Sequence, residues 1–134
     1  MSAEENKAIF IHFVDELRKG NVGIIDEVCS PNFAFYSPTR PGWPRGLAGA
    51  HQLAAISAAV ADVETVIEDI FAEGDKVAVR WTIRGTYKGE VKPGYPKPGE
   101  RFTQGAISIY RFANGKIEED WGVEAFSATA LAWS

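Results

Sequence analysis

Four acids crowd the stretch IEEDWGVE, residues 117–124. In an extended chain successive side chains point to opposite faces. Ile117, Glu119, Trp121 and Val123 then share one face, and Glu118, Asp120, Gly122 and Glu124 the other. A strand face carrying three acids and a glycine is either solvated or turned toward a cavity where a carboxylate does chemistry. In a partly dry cavity, desolvation raises the pKa of a carboxyl and makes it a stronger base. Asp120 is the candidate for removing a proton next to a carbonyl group, with Glu124 the remaining nearby acid. Gly122, inside the strand, points to a bulge or to close approach by a ligand or another backbone.

Other candidates cluster around the proline-rich stretch SPTRPGWPRG, residues 37–46. Tyr36 precedes it, and its phenol is suited to hydrogen-bonding a substrate oxygen as an oxyanion donor, or to serving as an amphipathic wall. Phe35 is a candidate ligand contact beside it. Trp43, locked between prolines, is expected either to lid a cavity mouth or to cover the underside of its loop. Arg40 and Arg45 flank that tryptophan and would receive a carboxylate or enolate, unless they are ordinary surface charges. His51 follows the loop and would reach the same cavity as a second oxyanion partner. His12, alone in the first helical stretch, reads as an ordinary histidine.

The elements that must position these residues follow from periodicity. Ser2 and Glu5 have capping-box spacing, and Phe10, Phe13, Val14 and Leu17 recur at helical intervals, with Gly20 and Asn21 ending the helix. A second short helix is expected over 22–29, with Ile25, Val28 and Cys29 inward and Pro31 as its stop. NFAFY (32–36) reads as a short strand, and 37–46, with three prolines and two glycines, as a loop. A third helix is expected over 47–60, with Leu53, Ile56 and Val60 as its larger apolar residues. The period then becomes two. Strands are expected over 63–71, 76–87, 101–112 and 117–124, joined by AEGD, by the proline-rich loop 88–100 and by ANGK, which carries an Asn-Gly hairpin signal. In 76–87, Val77, Val79, Trp81 and Ile83 alternate with Ala78, Arg80, Thr82 and Arg84. Trp81 and Trp121 are expected in the core or at a subunit interface, and SATALAWS reads as a tail. Three helices and one short strand followed by a four-stranded meander make an α+β fold, an antiparallel sheet with helices on one face. A strongly curved sheet of this kind closes with its helices into a conical barrel with an internal pocket.

Composition narrows the function classes. A chain of 134 residues fits a single domain, residues 1–134. Hydrophobic residues make up 46% and charged residues 24%, a globular mix. No apolar run nears the ~20 residues of a membrane span, and the acidic, polar start MSAEENK is not a signal peptide. Cys29 is the only cysteine, which suits a reducing cytoplasm. No CxxC, HExxH or paired histidines suggest a metal, and no Gly-rich phosphate loop suggests a nucleotide. A net charge of −4 without a basic stripe argues against nucleic acid as partner.

Read in order, the opening helix ending in GN, then IIDEVCSPNF, EDIFAEGDKVAVRWTIRGTYKGE and ISIYRFANGKIEEDWGV, resemble the SnoaL-like polyketide cyclases of the nuclear-transport-factor-2-like superfamily. The likeness spans nearly the whole chain. It implies the same fold, a homodimer formed through the sheet, and a superfamily in which cyclases, isomerases, epoxide hydrolases and non-catalytic binders all occur. Asp120 occupies a position where relatives often carry glutamate or histidine. The chain departs from the family pattern at Tyr36 and Ser37, where relatives often carry histidine or aspartate, and at Ala125, where many carry an acid. The expectation is a cofactor-independent enzyme, an aldol cyclase or isomerase acting on a hydrophobic carbonyl compound, with Asp120 as base and Tyr36 or His51 as oxyanion partner. One alternative is a non-catalytic domain binding a hydrophobic small molecule or a partner. Another is an epoxide hydrolase built on Arg80, Arg84 and Asp69.

Overall fold

In the computed structural model of the chain, residues 1–56, 60–91, 93 and 95–127 are described. Helix α1 spans Ala3–Arg18, capped by the expected box: the Ser2 hydroxyl accepts from the Glu5 amide and the Glu5 carboxylate accepts from the Ser2 amide. Phe10 and Val14, one helical turn apart, are buried along its inner stripe. Helix α2 spans Ile24–Val28 and buries Ile24, Ile25 and Val28. The chain becomes extended at Cys29, so this helix stops before Pro31 and strand β1 runs over Cys29–Tyr36, longer than the pentapeptide pattern suggests. Helix α3 covers Gly46–Ile56. It ends before Val60, which opens strand β2 (Val60–Glu73); the expected helical residues 57–59 lie outside the described set, as does the tail beyond Ser127. Strands β3 (Lys76–Tyr87), β4 (Arg101–Ala113) and β5 (Lys116–Ser127) complete the meander. At the β4–β5 turn Asn114 and Gly115 both have positive φ, 52° and 75°, the backbone an Asn-Gly hairpin requires.

The five strands form one sheet in the order β1-β5-β4-β3-β2. The meander pairs are antiparallel, but β1 lies parallel to β5, so the sheet is mixed rather than wholly antiparallel. A crossover is unavoidable here: β1 comes early in the chain and must reach the edge beside the last strand. With β1 and β2 as edges, the sheet is open and does not close into the expected barrel. Phe10 and Val14 of α1, Ile24, Ile25 and Val28 of α2 and Ala50 of α3 pack with Phe33, Val77, Val79, Phe112 and Ile117 of the sheet into the hydrophobic core. Among the described residues, no helix is long and apolar enough to cross a membrane.

Candidate active site

The inner face of the sheet is set by strand parity. On β3, Val77 and Val79 are buried while Trp81 and Ile83 line a cavity, as their alternation predicts. Opposite them on β4 stand Tyr110, Ser108, Ala106 and Gln104. On β5 parity alone misleads. Arg111 pairs with Glu119 but Phe112 pairs with Ile117, so Glu118 is an extra residue in a β-bulge. The bulge shifts the phase of the strand. Ile117 points inward together with Asp120, Gly122 and Glu124, while Glu119, Trp121 and Val123 lie on the outer face.

A cavity of about 220 Å³ lies between this sheet face and the helices. Phe13, Leu17, Ile25, Leu53 and Ala54 wall it from the helical side, and Phe33, Phe35, Trp81 and Ile83 from the sheet. Its polar groups gather around β5: Asp120, Glu124, Arg40, Ser108, Tyr110 and Gln104. An apolar cavity of about 150 Å³ holds a benzene, so this one has room for a ring with substituents.

Asp120 is the most perturbed acid of the site. Its Oδ1 is fully buried and takes no hydrogen bond among the described residues. Burial, and secondarily the negative charge of Glu124, push its carboxyl up to about 8 from an ordinary 3.8. Glu124 is held by charge: the Arg40 Nε donates to its Oε1 at 2.8 Å, with both side chains mostly sheltered. Arg40 comes from the proline-rich loop. Its guanidinium carbon sits 5.9 Å from the Trp43 ring centroid and 5.8 Å from that of Tyr95, in range for cation–π attraction to both. Two loops and the end of β5 thus meet on one arginine. Tyr110 is raised well above its ordinary pKa by burial, then by the Asp120 charge, with a Ser108 hydrogen bond acting the other way. Burial, reinforced by the Asp120 charge, pushes the Cys29 thiol up to about 12.

The structure brings together some of the sequence candidates and separates others. Asp120, Glu124 and Phe35 line the cavity, as does Arg40. Tyr36 does not. It pairs with Trp121 in the β1–β5 register and stacks on that indole at 4.2 Å, on the outer side of the sheet. Arg45 follows it there, donating to the Tyr36 hydroxyl at 3.2 Å. His51 lies 3.0 Å from the Asp26 carboxylate on the exposed side of α3 and is not a cavity residue. Trp43 is not among the cavity-lining residues: its indole N–H donates to the Gly49 carbonyl of α3 and its ring meets Phe35 of β1 edge-on at 5.8 Å. His12 is exposed. Arg80 and Arg84 alternate with the cavity residues Trp81 and Ile83, and Arg84 pairs with Glu64 rather than with any cavity acid. Of the two tryptophans, Trp81 lines the cavity, while Trp121 is 49% exposed on the outer face. Among the described residues no group of three His, Cys, Asp or Glu side chains is placed to hold a metal ion.

Ser108, Tyr110 and Gln104 are cavity residues that the sequence candidates did not include. The signal was present in TQGAISIY, where Gln104, Ala106, Ser108 and Tyr110 alternate with Gly105, Ile107 and Ile109. Ile107 and Ile109 are the more apolar set, and they are the ones turned outward, 48% and 42% exposed. An inverted pattern of this kind marks a polar interior beside an outer face that is itself apolar.

A family model described as SnoaL-like polyketide cyclase matches residues 8–131. Among solved structures, the chain is similar to AclR of Streptomyces galilaeus, a proposed hydroxylase. They share 27% identity and a TM-score of 0.77, over 95% of this chain and 83% of that one. It is similar to TsrD of Streptomyces laurentii at 26% identity and a TM-score of 0.77, over 92% and 90% of the two chains. A proposed polyketide cyclase of Acidithiobacillus ferrooxidans shares 25% identity at a TM-score of 0.72, over 90% and 87%. No match was found among curated proteins.

Proposed function

This chain belongs to the family of SnoaL-like polyketide cyclases, and on that premise we propose that it is a cofactor-independent small-molecule enzyme. It moves a proton at the carbon next to a carbonyl of a hydrophobic compound, with Asp120 as the proton-transfer group, in an aldol cyclisation or an isomerisation. The observation that carries this reading is the buried, unpartnered Oδ1 of Asp120 in the wall of an apolar cavity. A carboxyl held near pH 8 is matched to taking and returning a proton near neutrality. Tyr36 and His51 have no place in this chemistry, since both lie off the cavity. Glu124, clamped by Arg40, keeps the Asp120 proton bound more tightly by its negative charge.

The test uses hydrogen exchange, because the natural substrate is not needed for it. The purified protein would be incubated in D₂O with a one-ring or two-ring enolisable ketone such as 2-tetralone, and deuterium incorporation followed by mass spectrometry. Exchange above the buffer rate is expected for the wild type and not for Asp120→Asn. Wild-type exchange at the buffer rate, with the ketone shown to bind, would favour the reading of a non-catalytic binder.

The outer face of the sheet suggests a second copy as partner. Ile107, Ile109, Trp121 and Val123 form cross-strand pairs there and are each 42–49% exposed. Apolar side chains gathered this way gain free energy by leaving water, and a self-complementary face is covered most simply by itself. We propose a homodimer through this face. Light scattering should give twice the chain mass, reduced to the monomer by Trp121→Glu.

A further inference from the structure

Gly122 stands on the inner face of β5 between the two cavity acids, directly opposite Ser108 of β4. A Cβ built on it would lie 3.0 Å from the Ser108 Oγ and 3.6 Å from the Asp120 Oδ1. Any other residue would fill that spot and press on the serine hydroxyl. The absent side chain therefore leaves a niche about one atom deep, floored by backbone and flanked by a hydroxyl and the unpartnered carboxyl oxygen. Ser108 is 6% exposed and shares the inner face of β4 with Tyr110, itself buried. A serine hydroxyl rotates to suit its partner, so its proton can point into the niche.

We infer that the Ser108 hydroxyl, over the gap at Gly122, is the oxyanion donor of this site and binds the carbonyl oxygen of an enolisable substrate. The inference rests on reading the cavity as a site for such compounds. A flat carbonyl group laid against Gly122 places its oxygen beside Ser108 and its α-carbon toward Asp120. When the α C–H bond breaks, the proton passes to the Asp120 Oδ1 and the electron pair moves through the carbonyl onto its oxygen. That oxygen then carries the negative charge, and the Ser108 O–H hydrogen bond to it strengthens. After the new C–C bond forms, or the double bond shifts, Asp120 returns the proton. Atoms and charge balance with no further reactant. Gly122 also sets specificity: it admits a planar sp² centre close to the strand and would hold off a bulkier tetrahedral one. Arg40 already donates to Glu124 from the loop side, and Tyr36, on the outer face, has no access.

The test compares binding of 2-naphthol, whose oxygen mimics the enol, with binding of naphthalene, by titration calorimetry at pH 7. The wild type is expected to favour 2-naphthol about tenfold over naphthalene, the worth of one good hydrogen bond to a buried donor. Ser108→Ala should reduce that preference to within about twofold while leaving naphthalene affinity unchanged. Gly122→Ala, which fills the niche without removing the hydroxyl, should reduce it as well, and serves if the serine variant fails to fold. A preference retained in both variants, or absent from the wild type although naphthalene binds, overturns the niche and leaves the cavity reading standing. Binding of neither compound by the wild type overturns both.

Discussion

Replacing Asp120 by asparagine should make the protein more stable, and by an amount that depends on pH. The carboxyl has an ordinary pKa of 3.8 in the unfolded chain and about 8 in the folded one. Below pH 4 both states hold the proton and nothing is lost. Between 4 and 8 the folded state keeps a proton that the unfolded state has released, so wild-type stability falls as pH rises; beyond 8 the penalty is constant. At about 1.4 kcal/mol per pH unit, the three units between 4 and 7 set a ceiling of roughly 4 kcal/mol. The residue keeps some solvent exposure, and water reaching its outer oxygen returns part of the penalty, leaving about 2 kcal/mol at pH 7. For a chain of this length that corresponds to roughly 5–10 °C in Tm.

The neighbours facing Asp120 do not blur this window. Cys29 is pushed up to about 12 and Tyr110 higher than its ordinary range, while Glu124 is paired with Arg40 in both proteins. The assay is thermal unfolding of wild type and Asp120→Asn from pH 4 to 9, read as the difference in Tm. The difference should grow steadily from pH 4 and level off near 8. Two curves running parallel across that range would refute the reasoning, because the carboxyl would then be ionising as freely in the fold as out of it.

If Asp120 is the base, kcat for proton exchange should rise tenfold per pH unit below about 8 and flatten above it, since only the ionised form accepts a proton. Arg40→Met should destabilise the fold by about 1–3 kcal/mol by leaving the sheltered Glu124 carboxylate unpaired, and adding Glu124→Gln should restore most of that loss; urea unfolding of the double-mutant cycle checks it. Cys29 is buried with its thiol pushed up to about 12, so a disulfide exchange reagent should label it only as fast as the protein unfolds, and at once in denaturant.

Much of the fold was legible because it is written in local pattern. The Ser2–Glu5 cap, the Phe10–Val14 stripe, the Asn114–Gly115 turn and the β3 alternation each depend on residues within a few positions of one another, and each holds in the structure. The boundaries of α3 and β1 were less legible, since an alanine-rich run and a cysteine two residues before a proline suit either state until packing selects one. Asp120 is singled out in the sequence by Gly122 and Glu124 beside it, in a stretch that lies within the family match over residues 8–131.

What the sequence by itself determined is the order and type of the elements, the family, and the acid on the last strand. What only the tertiary structure decided is which side chains share a face with that acid. The Glu118 bulge resets the phase of β5, turning Ile117 inward with Asp120, and the parallel register of β1 places Phe35 beside Asp120 but Tyr36 beside Trp121. A period of two carries no memory across an inserted residue, and register is a property of two strands far apart in the chain. One residue of slip moves a phenol from the cavity to the opposite side of the sheet.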